Sequence, residues 1–139
     1  MKTIVLLILS IATARADITE SYLDKVAMIE SSNNPKAIGD DGKARGAFQI
    51  HKAAWQEAQK KNPSIGDYES GSFNTQSSRL AAKTYLTILS ARFEKRTGRK
   101  PSDAELYAVW NCGLGSFFSK HKGDLNKVPI TTKKAISKL

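Results

Sequence analysis

Cysteine occurs once in the chain, at Cys112, so no intrachain disulfide can form and a cysteine-rich zinc module is excluded. Histidine occurs twice, at His51 and His121, too little for a metal site, and the sequence calls for no metal and no cofactor. No internal repeat, heptad array or low-complexity tract is visible, and no proline-rich or glycine–serine linker divides the chain. The one long apolar run, residues 4–11, is broken by Ser10 and falls well short of the ~20 apolar residues that span a bilayer. What remains is 139 residues, 40% apolar and 25% charged, the composition of one compact soluble domain. The formal net charge of +9 favours an anionic partner: nucleic acid, an anionic membrane or an acidic cell-wall polymer. Charge alone does not choose among them.

The first sixteen residues resemble an address. Lys2 supplies a positive start, residues 4–11 an apolar stretch, and Ala14-Arg15-Ala16 small residues at the two positions a signal peptidase reads. A core helix at the N-terminus and an uncleaved anchor are the alternatives; the stretch lacks an amphipathic pattern for the first and length for the second. Cleavage after Ala16 leaves residues 17–139 as the mature domain, exported to the periplasm or the outside. Losing Lys2 and Arg15 lowers the charge from +9 to +7. An exported domain without a disulfide must be held by its hydrophobic core, which points to a bacterial or phage product.

The mature chain reads as helical throughout. Asp17-Ile18-Thr19-Glu20 has the form of a capping box, opening a helix with Ile18, Tyr22, Leu23, Val26, Ala27 and Ile29 at helical spacing and an end near Ser32. Residues 38–50, with Gly39, Gly42 and Gly46, read as a loop or a short hairpin. A helix is expected over 52–61 and a long loop over 62–73. Asn74 caps a long helix to about Thr97, with Leu80, Ala81, Tyr85, Ile88, Leu89 and Phe93 as its buried stripe and Gly98 as its stop. Ser102-Asp103-Ala104-Glu105 is a second capping box, starting a helix that stops at Cys112-Gly113. A short basic helix over 131–139 closes the chain. The fold class is therefore mainly α.

Glu30 is the most informative residue. It lies four residues after Val26, three after Ala27 and seven after Leu23, on the apolar face of the first helix and in its last turn. Desolvation and the negative end of the helix dipole both disfavour the ionised form and raise its pKa. A carboxylic acid still protonated near neutral pH is what a general acid needs. A Glu at the stripe's edge, pointing to water, fits the same spacing.

The context is specific. Glu30-Ser31, followed by Asn34-Pro35 and Ala37, resembles the first motif of the soluble lytic transglycosylase family of peptidoglycan-cleaving enzymes. Gly46-Ala47-Phe48-Gln49-Ile50 is similar to that family's Gly-Leu-Met-Gln-Ile motif, with Gly42, Ala44 and Arg45 before it. The stretch from Ala108 through Trp110-Asn111-Cys112-Gly113 to Gly115 resembles its Ala-Tyr-Asn-x-Gly motif. The three occur in the family's order across residues 22–118. The resemblance implies a lysozyme-like α-helical domain with a substrate cleft, acting on the β-1,4 bond between N-acetylmuramic acid and N-acetylglucosamine. It makes Glu30 the catalytic acid and then base. It places Gln49 and Asn111 on the sugar, Phe48 as an apolar wall beside Glu30 and Gly46 where backbone approaches glycan, and it leaves Trp110 to contact Glu30 or to stack on a sugar ring. Ser31 becomes a lock on the turn after Glu30. Peptidoglycan strands are the implied partner of a monomeric domain with no stable membrane span; no nucleic-acid recognition motif is present. One acid suffices for this chemistry: deprotonated Glu30 recovers a proton from the sugar's C6 hydroxyl as a 1,6-anhydro ring closes.

Ordinary glycosidases use two carboxylates, about 6.5–9.5 Å apart in inverting enzymes. Asp40 and Asp41 are the rivals here: a cleft-facing member would make a hydrolytic muramidase similar to goose-type lysozymes. The Asp-Asp-Gly sequence is also ordinary turn chemistry. His51 stands where goose-type enzymes often place an aspartate, and reads as a surface histidine. The family tyrosine that holds the catalytic carboxyl is Trp110 here, which offers one N–H donor and no acceptor. That substitution motivates a third reading, a catalytically silent glycan-binding module. Trp55, Tyr68 and Phe73 are candidates for a sugar-stacking rim, with Trp55 better placed as core.

Overall fold

The computed structural model describes residues 18–139; the expected export segment, residues 1–16, and Asp17 lie outside them. Helix α1 spans Glu20–Ser31. Its cap is Thr19, whose hydroxyl accepts the Tyr22 N–H at 3.0 Å, two positions later than the capping box expected from Asp17. Tyr22, Leu23, Val26 and Ala27 are buried, and Ser32 closes the helix in the left-handed region.

The glycine-bearing segment is the hairpin alternative rather than a plain loop. Strands β1 (Ile38–Gly39), β2 (Ala44–Arg45) and β3 (Ile50–His51) form a small antiparallel sheet in the order β1-β2-β3. Ile38 pairs with Arg45, and Ala44 with His51. A 3-10 turn at Asp40–Gly42 joins β1 to β2.

Helix α2 covers Lys52–Lys61, as its pattern predicts. The loop expected over 62–73 instead holds a 3-10 turn at Pro63–Ile65 and helix α3 at Tyr68–Gly71. The polar composition hid two buried anchors, Ile65 and Tyr68. They stand on either side of Gly66, which meets Trp55, itself fully buried. Its indole N–H donates to the Gly66 carbonyl at 3.0 Å, and its ring meets Tyr68 edge-on at 5.6 Å. Trp55 and Tyr68 are therefore core, and Phe73 lies under the Arg45 guanidinium at 5.7 Å.

Helix α4, Thr75–Thr97, is the spine, about 35 Å long at 1.5 Å per residue. Asn74 caps it through the Ser77 N–H, and Gly98 ends it in the left-handed conformation. Its buried stripe is Ser78, Ala81, Ala82, Leu86, Leu89 and Phe93. Ala81, Leu89 and Phe93 are buried as expected, whereas Ser78, Ala82 and Leu86 take the buried places expected for Leu80, Tyr85 and Ile88, which are only half-buried.

Helix α5, Asp103–Cys112, starts with the expected capping box, Ser102 and Glu105 exchanging hydrogen bonds. Helix α6, Leu114–Ser119, was not expected; Phe117 buries it against Phe93. Helix α7, Ile130–Ile136, closes the chain against α5. The described residues are mainly helical. No described helix is long and apolar enough to cross a membrane.

Candidate active site

Three elements converge on one cavity of about 510 Å³: the C-terminal end of α1, the small sheet, and the C-terminal half of α5. Glu30, Asp40, Gln49, His51, Tyr85, Trp110, Asn111 and Cys112 are among its lining residues. The sequence singled out four residues that meet here: Glu30, Gln49, Trp110 and Asn111.

Glu30 is half-buried at the end of α1. Burial raises its carboxyl pKa above the ordinary carboxylate range, against a hydrogen bond that lowers it. The Tyr107 phenol donates that bond to Oε1 at 2.9 Å. The Trp110 indole favours the charged form as a second donor, although only the Tyr107 contact has full hydrogen-bond geometry. The charge of Asp40 acts in the opposite sense, raising the pKa further, and His51 opposes it. Net, the Glu30 pKa is raised.

Tyr107 itself is 2% exposed. Burial, first, and the neighbouring Glu30 charge push its phenol pKa upward, so it stays a donor. It lies three residues before Trp110, one turn back on the same face of α5. This is the tyrosine that reading the motif position alone misses. The sequence shows the pair, two aromatics three residues apart on one face of α5, but not which of the two reaches the carboxyl. Trp110 instead meets Tyr85 of α4 edge-on at 5.8 Å, forming an aromatic corner on the cavity wall. Leu86, not Tyr85, takes the buried place on α4, which frees Tyr85 for this one.

Ser31 does not face a nucleophile's partner. Its hydroxyl donates to the Ala47 carbonyl at 2.7 Å and accepts the Asn34 N–H at 3.0 Å, tying the end of α1 to the turn between β2 and β3. Gln49 has φ +50, a left-handed conformation rare for a residue with a side chain, and its Nε2 donates to the Gly46 carbonyl at 3.0 Å. Asn111 Oδ1 accepts the Thr132 hydroxyl at 2.7 Å, which leaves its NH2 as the group free for a ligand.

Two residues that the resemblance placed at the substrate site do not line the cavity. Phe48 is 2% exposed and belongs to the core cluster; it does not line the cavity. Gly46 is also absent from the lining; at φ +76 it faces the Ser72 carbonyl so closely that a Cβ would collide with it. Its missing side chain serves the joint between the sheet and α3. Asp40 lines the cavity, whereas Asp41 is exposed and does not. His51, also on the lining, is bound to Asp40, with Nε2 2.8 Å from Oδ2.

No curated protein and no solved structure is similar enough to the chain to count as a match. A family model described as "Transglycosylase SLT domain" does match, over residues 8–128, beginning inside the apolar run and ending after α6. That span takes in all three motifs, the acid on α1, the hairpin that carries Gln49 and the helix that carries Tyr107 and Asn111. The chain belongs to the transglycosylase SLT domain family.

Proposed function

We propose that the protein is an exported peptidoglycan lytic transglycosylase, with residues 1–16 as the export signal and residues 17–139 as the enzyme. It cleaves the β-1,4 bond between N-acetylmuramic acid and N-acetylglucosamine. The observation that carries this reading is Glu30: a carboxyl raised by burial, fixed by the Tyr107 phenol at 2.9 Å, on the wall of a cavity shared with Gln49, Trp110 and Asn111.

The chemistry follows from that environment. Protonated Glu30 donates to the leaving glycosidic oxygen while an oxocarbenium-like centre forms at the muramoyl C1. Glu30 is then ionised in a site that disfavours its charge, which makes it a competent base. It recovers a proton from the C6 hydroxyl as that oxygen closes on C1. The aromatic corner of Tyr85 and Trp110 offers a face for a sugar ring, and Gln49 and Asn111 offer amides for N-acetyl groups. The reading as a silent binding module rested on the absence of a tyrosine at the third motif; Tyr107 supplies a phenol to the acid, and this supports an active enzyme.

The test is mass analysis of the products released from purified sacculi. Products ending in 1,6-anhydromuramic acid are expected, and E30Q should lose most turnover while still binding sacculi. A fully active E30Q removes Glu30 from its role.

A further inference from the structure

The cavity holds a second acid–base group that the anhydro-forming reaction does not use. Asp40 sits in the turn between β1 and β2, and His51 is the last residue of β3; the register β1-β2-β3 brings both to one end of the sheet. Both line the same cavity as Glu30. A carboxylate only accepts, so across the 2.8 Å contact His51 donates its Nε2–H to Asp40, and a neutral imidazole in this position carries its lone pair on Nδ1. The pair is open to water, with 49% of the His51 side chain and 68% of the Asp40 side chain exposed. Asp40 is held there at φ +49, a conformation that Asp and Asn tolerate better than most residues.

We propose that His51, oriented by Asp40, is a second catalytic base that activates water, giving the enzyme a hydrolytic branch beside the anhydro-forming one. The proposal rests on the reading of Glu30 and its substrate given above. In this branch Nδ1 takes a proton from water as the water oxygen bonds to the muramoyl C1. The bond from C1 to the bridging oxygen breaks, its electron pair goes to that oxygen, and Glu30 protonates it. Asp40 stabilises the imidazolium, as the carboxylate does in a catalytic triad. The imidazolium proton then passes through solvent to the Glu30 carboxylate, and both groups return to their starting states. One water is consumed, and the muramoyl product carries a reducing end. The anhydro branch needs no second base, because Glu30 serves twice.

The experiment digests sacculi with wild-type enzyme, D40N and H51Q, and counts reducing and anhydro ends by mass after borohydride reduction. Asn suits the left-handed turn, so D40N keeps the backbone while removing the orienting charge. The wild type is expected to form both ends. The ratio of reducing to anhydro ends should fall at least tenfold in each variant, since general-base assistance is worth about 10²–10⁴ in rate. A wild type that forms only anhydro ends overturns the proposal and leaves the Glu30 reading standing. Variants that lose both products together, at an unchanged ratio, also overturn it, because that is what a structural role would do. Reducing ends that vanish in D40N, with no anhydro ends from any form, uphold the second base and overturn the anhydro reading.

Discussion

Replacing Tyr107 by Phe removes one oxygen atom and one hydrogen bond, from a buried ring to the Oε1 of Glu30 at 2.9 Å. The bond favours the charged carboxylate, so its loss raises the Glu30 pKa beyond the elevation that burial already gives. A hydrogen bond to a charged group contributes about 1.5–3 kcal/mol. At about 1.4 kcal/mol per pH unit, that corresponds to roughly one to two pH units. In the proposed mechanism the reaction begins with protonated Glu30, so activity should fall as pH rises through its pKa. In Y107F that alkaline limb moves to higher pH by this amount. The acid is also weaker and freer to rotate, which should lower kcat by about tenfold. Tyr107 does not line the cavity, so KM should stay within about twofold of wild type. The assay is the initial rate of muropeptide release from sacculi, measured from pH 4 to 9. An alkaline limb that stays in place, or moves to lower pH, refutes the assignment of Tyr107 as the residue that positions the acid.

Other outcomes follow from the same physics. E30Q should be more heat-stable than wild type at pH 8: the folded-state pKa of Glu30 is raised, so its contribution is present below the ordinary carboxylate pKa and lost as pH rises through the folded one. Each kcal/mol relieved is worth about 3–6 °C in a domain of this size, and no gain should appear at pH 4. Glu105 has the opposite sign: the Arg99 guanidinium and the capping bonds of Ser102 lower its carboxyl to about 2. E105Q should therefore lose about 1 kcal/mol at pH 7, kept small because Arg99 is mostly exposed, and the deficit should close between about pH 4.5 and 2 in urea titrations. G46A should cost about 2 kcal/mol or more, since the new Cβ meets the Ser72 carbonyl at φ +76. A neutral G46A would place the glycine's role back at the glycan.

The helices that could be read from the sequence were those with local signals at both ends. Asn74 and Gly98 bound α4, and Ser102-x-x-Glu105 opens α5, because a cap is a contact between residues three apart and needs no tertiary partner. Helices α3 and α6 were invisible for the opposite reason. Each is short, and each is held by a distant aromatic: α3 by Trp55, whose Cζ2 leaves no room for a side chain at Gly71, and α6 by Phe93. Half of the α4 stripe, Ala81, Leu89 and Phe93, was legible from spacing, and half was not. The buried face also takes in Ser78 and Ala82, small residues that carry little hydrophobic signal, and Leu86 in place of Tyr85.

The candidate site divides along the same line. Glu30 was legible from its spacing within one helix. Its tyrosine was not, because the motif position and the contact differ by one turn of α5, and only the approach of α1 to α5 decides which of two aromatics on a shared face reaches the carboxyl. That approach is itself fixed at a remote point: the Tyr22 hydroxyl donates to the Asp103 carbonyl at 3.0 Å, joining the starts of the two helices. The two helices are thus joined two turns before Glu30, by a buried phenol that does not line the cavity. A change at Tyr22 should reach Glu30 through the Tyr107 bond. Y22F keeps the ring and breaks the clamp, so it should shift the pH profile in the same direction as Y107F and by less. An unshifted profile in Y22F, with a lowered Tm, would confine that contact to stability.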